Sequence, residues 1–426
     1  MAGSNLLKRL DWLTIFLYLI LVVFGWVNIY STTMLDPDLS LFNMSTLYGK
    51  QFFFMAVSFV FIILIFAVES AFLERFSGLF YVVSIIFLIG LFLFGKTIGG
   101  AKSWYDLGFF NFQPSELGKL TTALALAKFL SDIQTDLKKG KHQWYAVIIL
   151  LVPIILILPQ PDPGSALVYF SLFFVLFREG FPMKYLAFAL MLIVLFVTTL
   201  KYGVIWVCIG LGILTSLFFL FKKSKFKIPT LPLILFLVAS VVISLSVNFV
   251  YNNVFEQRHR DRFSLWLGLE KDPVRIQQIK KTIGYNTYQA EKAIESGGLS
   301  GKGFLEGTRT KGDFVPEQHT DYIFSSVGEE WGFMGTTFVV VVFTLLFLRL
   351  IMLAERQKKP FNRMYGYGII SILLTHYFVN IGMVIGLLPT IGIPLPFFSY
   401  GGSGLIFFTA MLFIFLKFDT ERLNEL

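Results

Sequence analysis

Apolar residues run along this chain in long blocks, and its polar positions cluster between them. Blocks long enough to read as membrane helices fall at residues 12 to 32, 50 to 68, 78 to 95, 113 to 131, 144 to 159, 164 to 178, 183 to 200, 203 to 221, 228 to 250, 334 to 353, 364 to 388 and 400 to 417. A helix needs about 20 mostly apolar residues to cross about 30 Å of hydrocarbon. The pattern therefore predicts an all-α polytopic integral membrane protein with about twelve transmembrane helices. Residues 1–426 form a single membrane domain on this reading, interrupted by one long polar segment, 251 to 333. That segment opens with "FEQRHRDRF" (255 to 263), passes through "EKDPVRIQQIKK", and contains "YNTYQAEKAIES" (285 to 296), whose spacing predicts an amphipathic helix. Lys8 and Arg9 precede the first apolar block as they would in a signal peptide. The block is too long for a signal h-region and lacks a small-residue cleavage site, so an anchor is expected.

Composition closes off the soluble classes. Of 426 residues 56% are hydrophobic, 15% are charged and 50 are Phe, and mean hydropathy is +0.72. No soluble core of this length needs so much apolar surface. The single cysteine, Cys208, excludes an internal disulfide and a cysteine metal site, and leaves the compartment unread. A net charge of +9 would suggest nucleic acid in a soluble protein. Here the placement of the cations matters more, and no nucleic-acid partner is expected. With the N-terminus inside, the inner connections hold Lys8, Arg9, Arg75, Lys138, Lys139, Lys141, Arg178, Lys184, Lys222, Lys223, Lys225, Lys227, Arg356, Lys358, Lys359, Arg363 and Arg422. The opposite short loops hold only Lys50, Lys96, Lys102 and Lys201. The positive-inside rule then places both termini in the cytoplasm and 251 to 333 outside; long loops escape that rule, so the cations of this segment do not conflict with it.

Several patches near the outer surface carry candidate chemistry. In "VPEQHTDYIF" (315 to 324), Glu317, His319 and Asp321 crowd into five positions just before an apolar block. "GGAKSWYDLGFFNFQPSELGKL" (99 to 120) reads as a loop entering a helix, with Pro114 in an early helical position and Glu116 and Lys119 at i,i+3. Charges inside a membrane are costly, so both should face the protein interior, either as a helix-locking ion pair or as part of a site. Trp104 is an interfacial belt residue or a stacking platform for a sugar. "QPDPGSAL" (160 to 167) is a tight turn in which Asp162 is either a turn residue or a group aimed at a pocket. In "NIGMVIGLLPTIGIPLPFFSYGGSGL" (380 to 405), Pro389, Pro394 and Pro396 break an apolar run. Broken backbone at membrane depth survives only when buried in protein or lining a cavity, so a re-entrant or kinked element beside a lumen is predicted, with Asn380, Ser399 and Ser403 as its polar groups. "GGLSGKGF" (297 to 304) lacks phosphate-loop spacing, since Gly303 stands where Ser or Thr should follow Lys302, but its amides and Lys302 could contact a lipid-borne phosphate. Arg258, Arg260, Arg262, Arg275, Lys280 and Lys281 form a solvated face or, as a group, a headgroup site.

In that order, "WYDLGFFNFQPSELGKL", "QPDPGSALV", "SGGLSGKGFLEGT", "VPEQHTDYIFSSVGEEWGFMG" and the proline-broken run resemble the motifs of the SEDS family (shape, elongation, division and sporulation) over nearly the whole chain. "LDWLTIFLYLILVVFGWVNIYST" and "QPDPGSAL" look more like the elongation branch, RodA, than the division branch, FtsW. The resemblance implies a peptidoglycan glycosyltransferase that polymerises lipid II, a disaccharide-pentapeptide on undecaprenyl pyrophosphate, at the outer face of the bacterial cytoplasmic membrane during elongation and rod-shape maintenance. It implies a cognate class B penicillin-binding protein as partner, with other elongation-complex membrane proteins such as MreC and MreD. The family's essential outer-loop aspartate falls on Asp321, and its tryptophan and QPSE motif fall on Trp104, Gln113, Ser115, Glu116 and Lys119. Members usually show a core of about ten spans, so an extra pair is expected within 183 to 250.

The chemistry of such a reaction suits these residues. Forming a β-1,4 link from an α-linked pyrophosphate donor inverts the anomeric carbon, so one base on the acceptor hydroxyl suffices. Asp321 is the candidate base. Pyrophosphate is a good leaving group, and its charge is expected to meet Arg262, Lys302 or a divalent cation, Mg or Mn, with Asp321 and Asp162 as candidate ligands; no organic cofactor is expected. Glu317 and Asp162 would position sugars or that metal, and His319 would be a second base or orient the loop. Gln160, Thr320, Asn380, Ser399 and Ser403 complete the expected substrate-binding set. Rival readings are a division-type polymerase, a lipid II flippase or other transporter, and a scaffold for catalytic partners.

Overall fold

The computed structural model describes residues 8–34, 38, 40–108, 110–221, 230–253, 255, 257–282, 284–312 and 314–422. Lys222, Lys223, Lys225 and Lys227, expected in an inner loop, lie outside the described residues, as do the side chains of Arg258 and Lys280. The chain divides into two compact units, Met1–Phe181 with Gln289–Leu426, and Pro182–Tyr288. The long polar segment is thereby shared: residues 251–288 belong to the second unit and 289–333 to the first.

In the first unit, α1 (Trp12–Thr33), α2 (Leu47–Ala67), α3 (Ser70–Arg75) and α4 (Ser77–Phe94) lead into a small antiparallel sheet, β1 (Lys96–Ile98), β2 (Ala101–Asp106) and β3 (Asn111–Phe112), in that spatial order. Then come α5 (Pro114–Ser131), α6 (Gly140–Ile157), α7 (Pro163–Phe170) and α8 (Phe173–Arg178). Local chemistry sets their starts. Asp11 caps α1 by accepting from the Thr14 amide at 3.1 Å, Thr46 caps α2 through Gly49 at 3.2 Å, and Pro114 and Pro163 open α5 and α7, where their missing N–H groups cost nothing. The sheet replaces what reads in sequence as a plain loop.

The second unit holds α9 (Met183–Tyr202), α10 (Val204–Phe221), α11 (Thr230–Asn253), α12 (Gln257–Leu267) and α13 (Pro273–Lys281). Its apolar helices α9 and α11 are joined by Thr199 donating to Ser244 at 3.1 Å. The range 183 to 250, in which an extra pair is expected, falls in this unit.

The chain continues through α14 (Tyr285–Gly297), the amphipathic helix predicted over 285 to 296, then α15 (Thr308–Lys311), α16 (Ile323–Glu355), α17 (Pro360–Val384) and α18 (Gly402–Glu421). Among the described residues, nine helices are long and apolar enough to cross a membrane, and Pro163–Arg178 and Val204–Leu217 are shorter apolar helices. With α5, which carries Glu116, Lys119 and Lys128, they coincide with the predicted blocks. Two boundaries differ for physical reasons. α16 begins at Ile323 rather than 334, because its polar first turns are buried in protein, Glu329 and Glu330 included, before a kink at Gly332. α17 stops at Val384 rather than 388, ahead of the three prolines.

Candidate active site

The proline-broken stretch 385–401 has no ladder of its own, so side chains satisfy its backbone. Asn380 in α17 donates to the Ile393 carbonyl at 2.7 Å, and His376, one turn earlier, bonds the Pro394 carbonyl through Nδ1 at 3.1 Å. The Ser399 hydroxyl accepts from the Leu395 amide at 2.8 Å. From α2, Gln51 accepts the Gly401 amide at 3.2 Å.

The same stretch and α17 together hold the outer-loop motif by three successive carbonyls. That of His319 accepts from the Tyr400 amide at 2.8 Å, that of Thr320 from the Ser399 hydroxyl at 2.6 Å, and that of Asp321 from Asn380 Nδ2 at 2.8 Å. The backbone is therefore fixed from His319 through Asp321, and Asp321 itself is half-buried. A Cβ placed on Gly392 would stand 3.1 Å from Asp321 Oδ2, and Gly392 has φ +77°. Only glycine takes that backbone without strain and leaves the carboxylate its room. The His319 ring meets Tyr400 edge-on at 5.6 Å. Glu317 is exposed, with φ +58°, and accepts from the Thr320 hydroxyl at 3.0 Å.

A second wall comes from α5 and α7. Asp162 caps α7: Oδ1 accepts from the Ser165 amide at 2.9 Å, and Oδ2 from the Ser165 hydroxyl at 2.8 Å and from Gln113 Nε2 at 3.1 Å. The hydroxyls of Ser115 and Ser165 lie 3.2 Å apart. Gly164 packs so closely that a Cβ there would stand 3.0 Å from Ile393 and 3.1 Å from the Gly392 carbonyl. The capped end of α7 thus abuts the turn that faces Asp321. Gln113, Ser115, Asp162, Asp321, Asn380 and Ser399 converge around it, although they arise from four separate motifs.

Deeper in the membrane region sits a buried charged cluster. Lys119 Nζ lies 2.6 Å from Glu116 Oε1 and 2.8 Å from His376 Nε2, and 5.4 Å from the centre of the Phe408 ring. A carbonyl only accepts, so His376 Nδ1 carries the proton toward Pro394 and Nε2 accepts from the ammonium. Glu116 and Lys119 face the interior as expected, each at most 3% exposed. His376 was not among the residues singled out in the sequence; its spacing of four from Asn380, which puts both on one face of α17, was the available signal.

Other expected site residues lie elsewhere. Trp104 is half-buried in β2, paired with Lys96 of β1. The Gln160 carbonyl accepts from the Lys102 amide at 3.1 Å and its Nε2 donates to Leu88 in α4 at 3.2 Å, so it joins the sheet to that helix. Ser403 is buried in the first turn of α18. Lys302, read as a phosphate contact, donates to Glu329 at 2.6 Å and Thr308 at 2.7 Å. Glu329 also accepts from the amides of Arg309 at 3.0 Å and Thr310 at 2.8 Å, which fastens the 302–310 turn to α16. Arg262 belongs to α12 of the second unit. Among the described residues, no group of three His, Cys, Asp or Glu side chains could hold a metal ion, and Asp162 already accepts three hydrogen bonds. The donor set does not fit a cation caged by protein alone.

Comparison with known proteins gives the family. Residues 11–224 and 207–424 match the profile of the cell cycle protein family of FtsW, RodA and SpoVE. The peptidoglycan glycosyltransferase MrdB of Escherichia coli is 33% identical over 351 residues, covering 82% of this chain and 79% of that protein. The peptidoglycan glycosyltransferase RodA of Treponema pallidum is 34% identical over 351 residues, covering 77% of this chain and 78% of its own. A chain from a solved peptidoglycan synthase complex, described as coordinating polymerization and crosslinking, superposes with a TM-score of 0.70 at 26% identity, over 97% of this chain and 98% of that one. With motifs, helical architecture and relatives in agreement, this multi-pass membrane protein belongs to the SEDS family of FtsW, RodA and SpoVE.

Proposed function

We propose that this chain is a peptidoglycan glycosyltransferase that polymerises lipid II during cell elongation and rod-shape maintenance. The observation that carries the reading is the pinning of three carbonyls at His319, Thr320 and Asp321, which holds the half-buried Asp321 beside the convergence of α5, α7 and the broken stretch. Asp321 accepts the proton of the acceptor GlcNAc 4-hydroxyl as its oxygen attacks the donor anomeric carbon. A β-1,4 bond forms there, the bond to the α-linked pyrophosphate oxygen breaks, and undecaprenyl pyrophosphate leaves with the electron pair. Gln113, Ser115, Asp162 and Asn380 orient the sugars or hold the walls that do. Lys302 is the candidate cation for the pyrophosphate, and it would share its charge with Glu329. A Mg or Mn ion would arrive with the pyrophosphate rather than sit in a cage made by protein alone.

The site faces outward across a bacterial cytoplasmic membrane, with both termini in the cytoplasm. The likeness to a synthase complex supports a class B penicillin-binding protein as crosslinking partner; MreC and MreD are further partners that only the family resemblance in the sequence suggests. A flippase is the second reading, favoured by the buried Glu116–Lys119–His376 cluster, because intramembrane charges also mark transport routes. Purified protein with its penicillin-binding partner, incubated in detergent with labelled lipid II, is expected to yield glycan ladders. A flippase yields none, and absence of ladders from an intact complex overturns the polymerase reading. Localisation along the side wall rather than at the septum separates the elongation role from the division role.

Gly392→Ala tests the geometry around the base. It places a methyl against the carboxylate and forces an L side chain into a left-handed backbone at a cost of about 1–2 kcal/mol. The same assay should show at least about a tenfold slower rate, the equivalent of about 1.4 kcal/mol in the barrier. An unchanged rate would mean that this turn does not set the position of Asp321.

A further inference from the structure

At the end of the helices remote from Asp321, a cavity of about 270 Å³ opens where the start of α1 meets the ends of α16 and α18. Its wall includes Lys8, Arg9, Arg356 and Arg422 against Asp11 and Asp419, four cations facing two carboxylates. The distance from the catalytic end is set by the helices. The last turn of α1 accepts from Gln318 through the Thr32 carbonyl at 3.2 Å, while its cap, Asp11, lines this cavity; its 22 residues span about 33 Å. α18 likewise begins beside Tyr400 and ends at the cavity.

The two carboxylates act as holders for arginines. Asp419, 2% exposed, accepts from Arg356 Nε at 2.8 Å, from Arg356 Nη2, from Gln357 at 2.8 Å and from Arg422 Nη1 at 2.7 Å. Asp11 accepts from Arg349 Nε at 3.1 Å and from Thr14. A guanidinium has five N–H donors. The Asp419 bonds use two from Arg356 and one from Arg422, so both forks are oriented without being exhausted. Such a fork matches phosphate oxygens, and Lys8 and Arg9 add charge at the same mouth. α1 starts directly after these residues with Trp12, Leu13 and Phe16 exposed, an apolar helix face that lipid chains would cover.

We infer that this cavity binds the phosphodiester headgroup of an anionic glycerophospholipid. Basic pockets between helix ends at a membrane surface are the usual recognition element for such headgroups. The site lies a full membrane thickness from Asp321, so it is separate from the substrate cavity and does not depend on the polymerase reading.

The test is native mass spectrometry of the full chain in detergent, titrated with phosphatidylglycerol or phosphatidylcholine of the same acyl chains, with inorganic phosphate as competitor. Each basic residue at a membrane surface changes affinity by about fivefold. Phosphatidylglycerol should therefore be retained at least about fivefold better than phosphatidylcholine, and Lys8→Gln/Arg9→Gln should lose most of that preference. Lys138→Gln/Lys139→Gln, outside the cavity, and the charge-preserving Lys8→Arg/Arg9→Lys should keep it. Equal retention of the two lipids, or full preference in Lys8→Gln/Arg9→Gln, overturns the proposal. Displacement by low-millimolar phosphate overturns the lipid assignment in favour of a free anion. Should the neutralised variant fail to fold, the lipid comparison on the native chain and on Lys8→Arg/Arg9→Lys still decides the question.

Discussion

Asp321→Asn is expected to slow lipid II polymerisation by about 10²–10⁴-fold, the usual contribution of a positioned general base, while the chain folds and still co-purifies with its partner. Asparagine has the same shape, and the contacts that place residue 321 run through its backbone carbonyl to Asn380 and through neighbouring carbonyls to Ser399 and Tyr400. None of these contacts needs the carboxylate, and the substitution removes its proton acceptance. His319→Gln and Glu317→Gln should cost less, because one ring leans on Tyr400 and the other carboxylate is engaged by Thr320. Glycan ladder formation at matched protein concentration reads all three. A rate within twofold of the native chain for Asp321→Asn would remove Asp321 as base, and with it the discriminator against a scaffold.

The second large effect is on stability. Lys119→Met leaves the Glu116 carboxylate buried at 3% exposure without its cation, and Glu116 Oε2 has no partner among the described residues even in the native chain. Removing one member of a buried pair costs about 3–5 kcal/mol, whereas replacing both by neutral groups is often close to neutral. Glu116→Gln/Lys119→Met should therefore recover most of the melting temperature lost by Lys119→Met alone. Thermal unfolding in detergent, followed by intrinsic fluorescence, separates the two. If the single variant is as stable as the double one, the ammonium does not compensate the carboxylate. Polymerisation should remain impaired in both, because the ammonium also bonds His376, and His376 holds the Pro394 carbonyl of the stretch facing Asp321.

The relation of sequence to site shows in these residues. Asp321, Glu116 and Lys119 were legible because charge among apolar blocks is costly enough to need a reason. The break after α17 was legible because three prolines cannot continue a helix. His376 was not, since a lone histidine in an apolar helix resembles any other buried polar group until its partner is known. Gln160 and Lys302 show the opposite case: their motifs stand out in the sequence, but that Gln160 joins sheet to helix and that Lys302 pairs with Glu329 is visible only in the fold.

By itself the sequence determined that this is a helical membrane protein and roughly where its helices run. Those properties follow from local composition over about 20 residues. Only the tertiary structure decided which groups share a site. Asn380 and Asp321 are 59 positions apart, Ser399 and Thr320 79, and Lys119 and His376 257. Hydrogen bonds across such separations leave no local pattern, because they form only after packed helices have brought together backbone groups that hydrocarbon would otherwise leave unsatisfied.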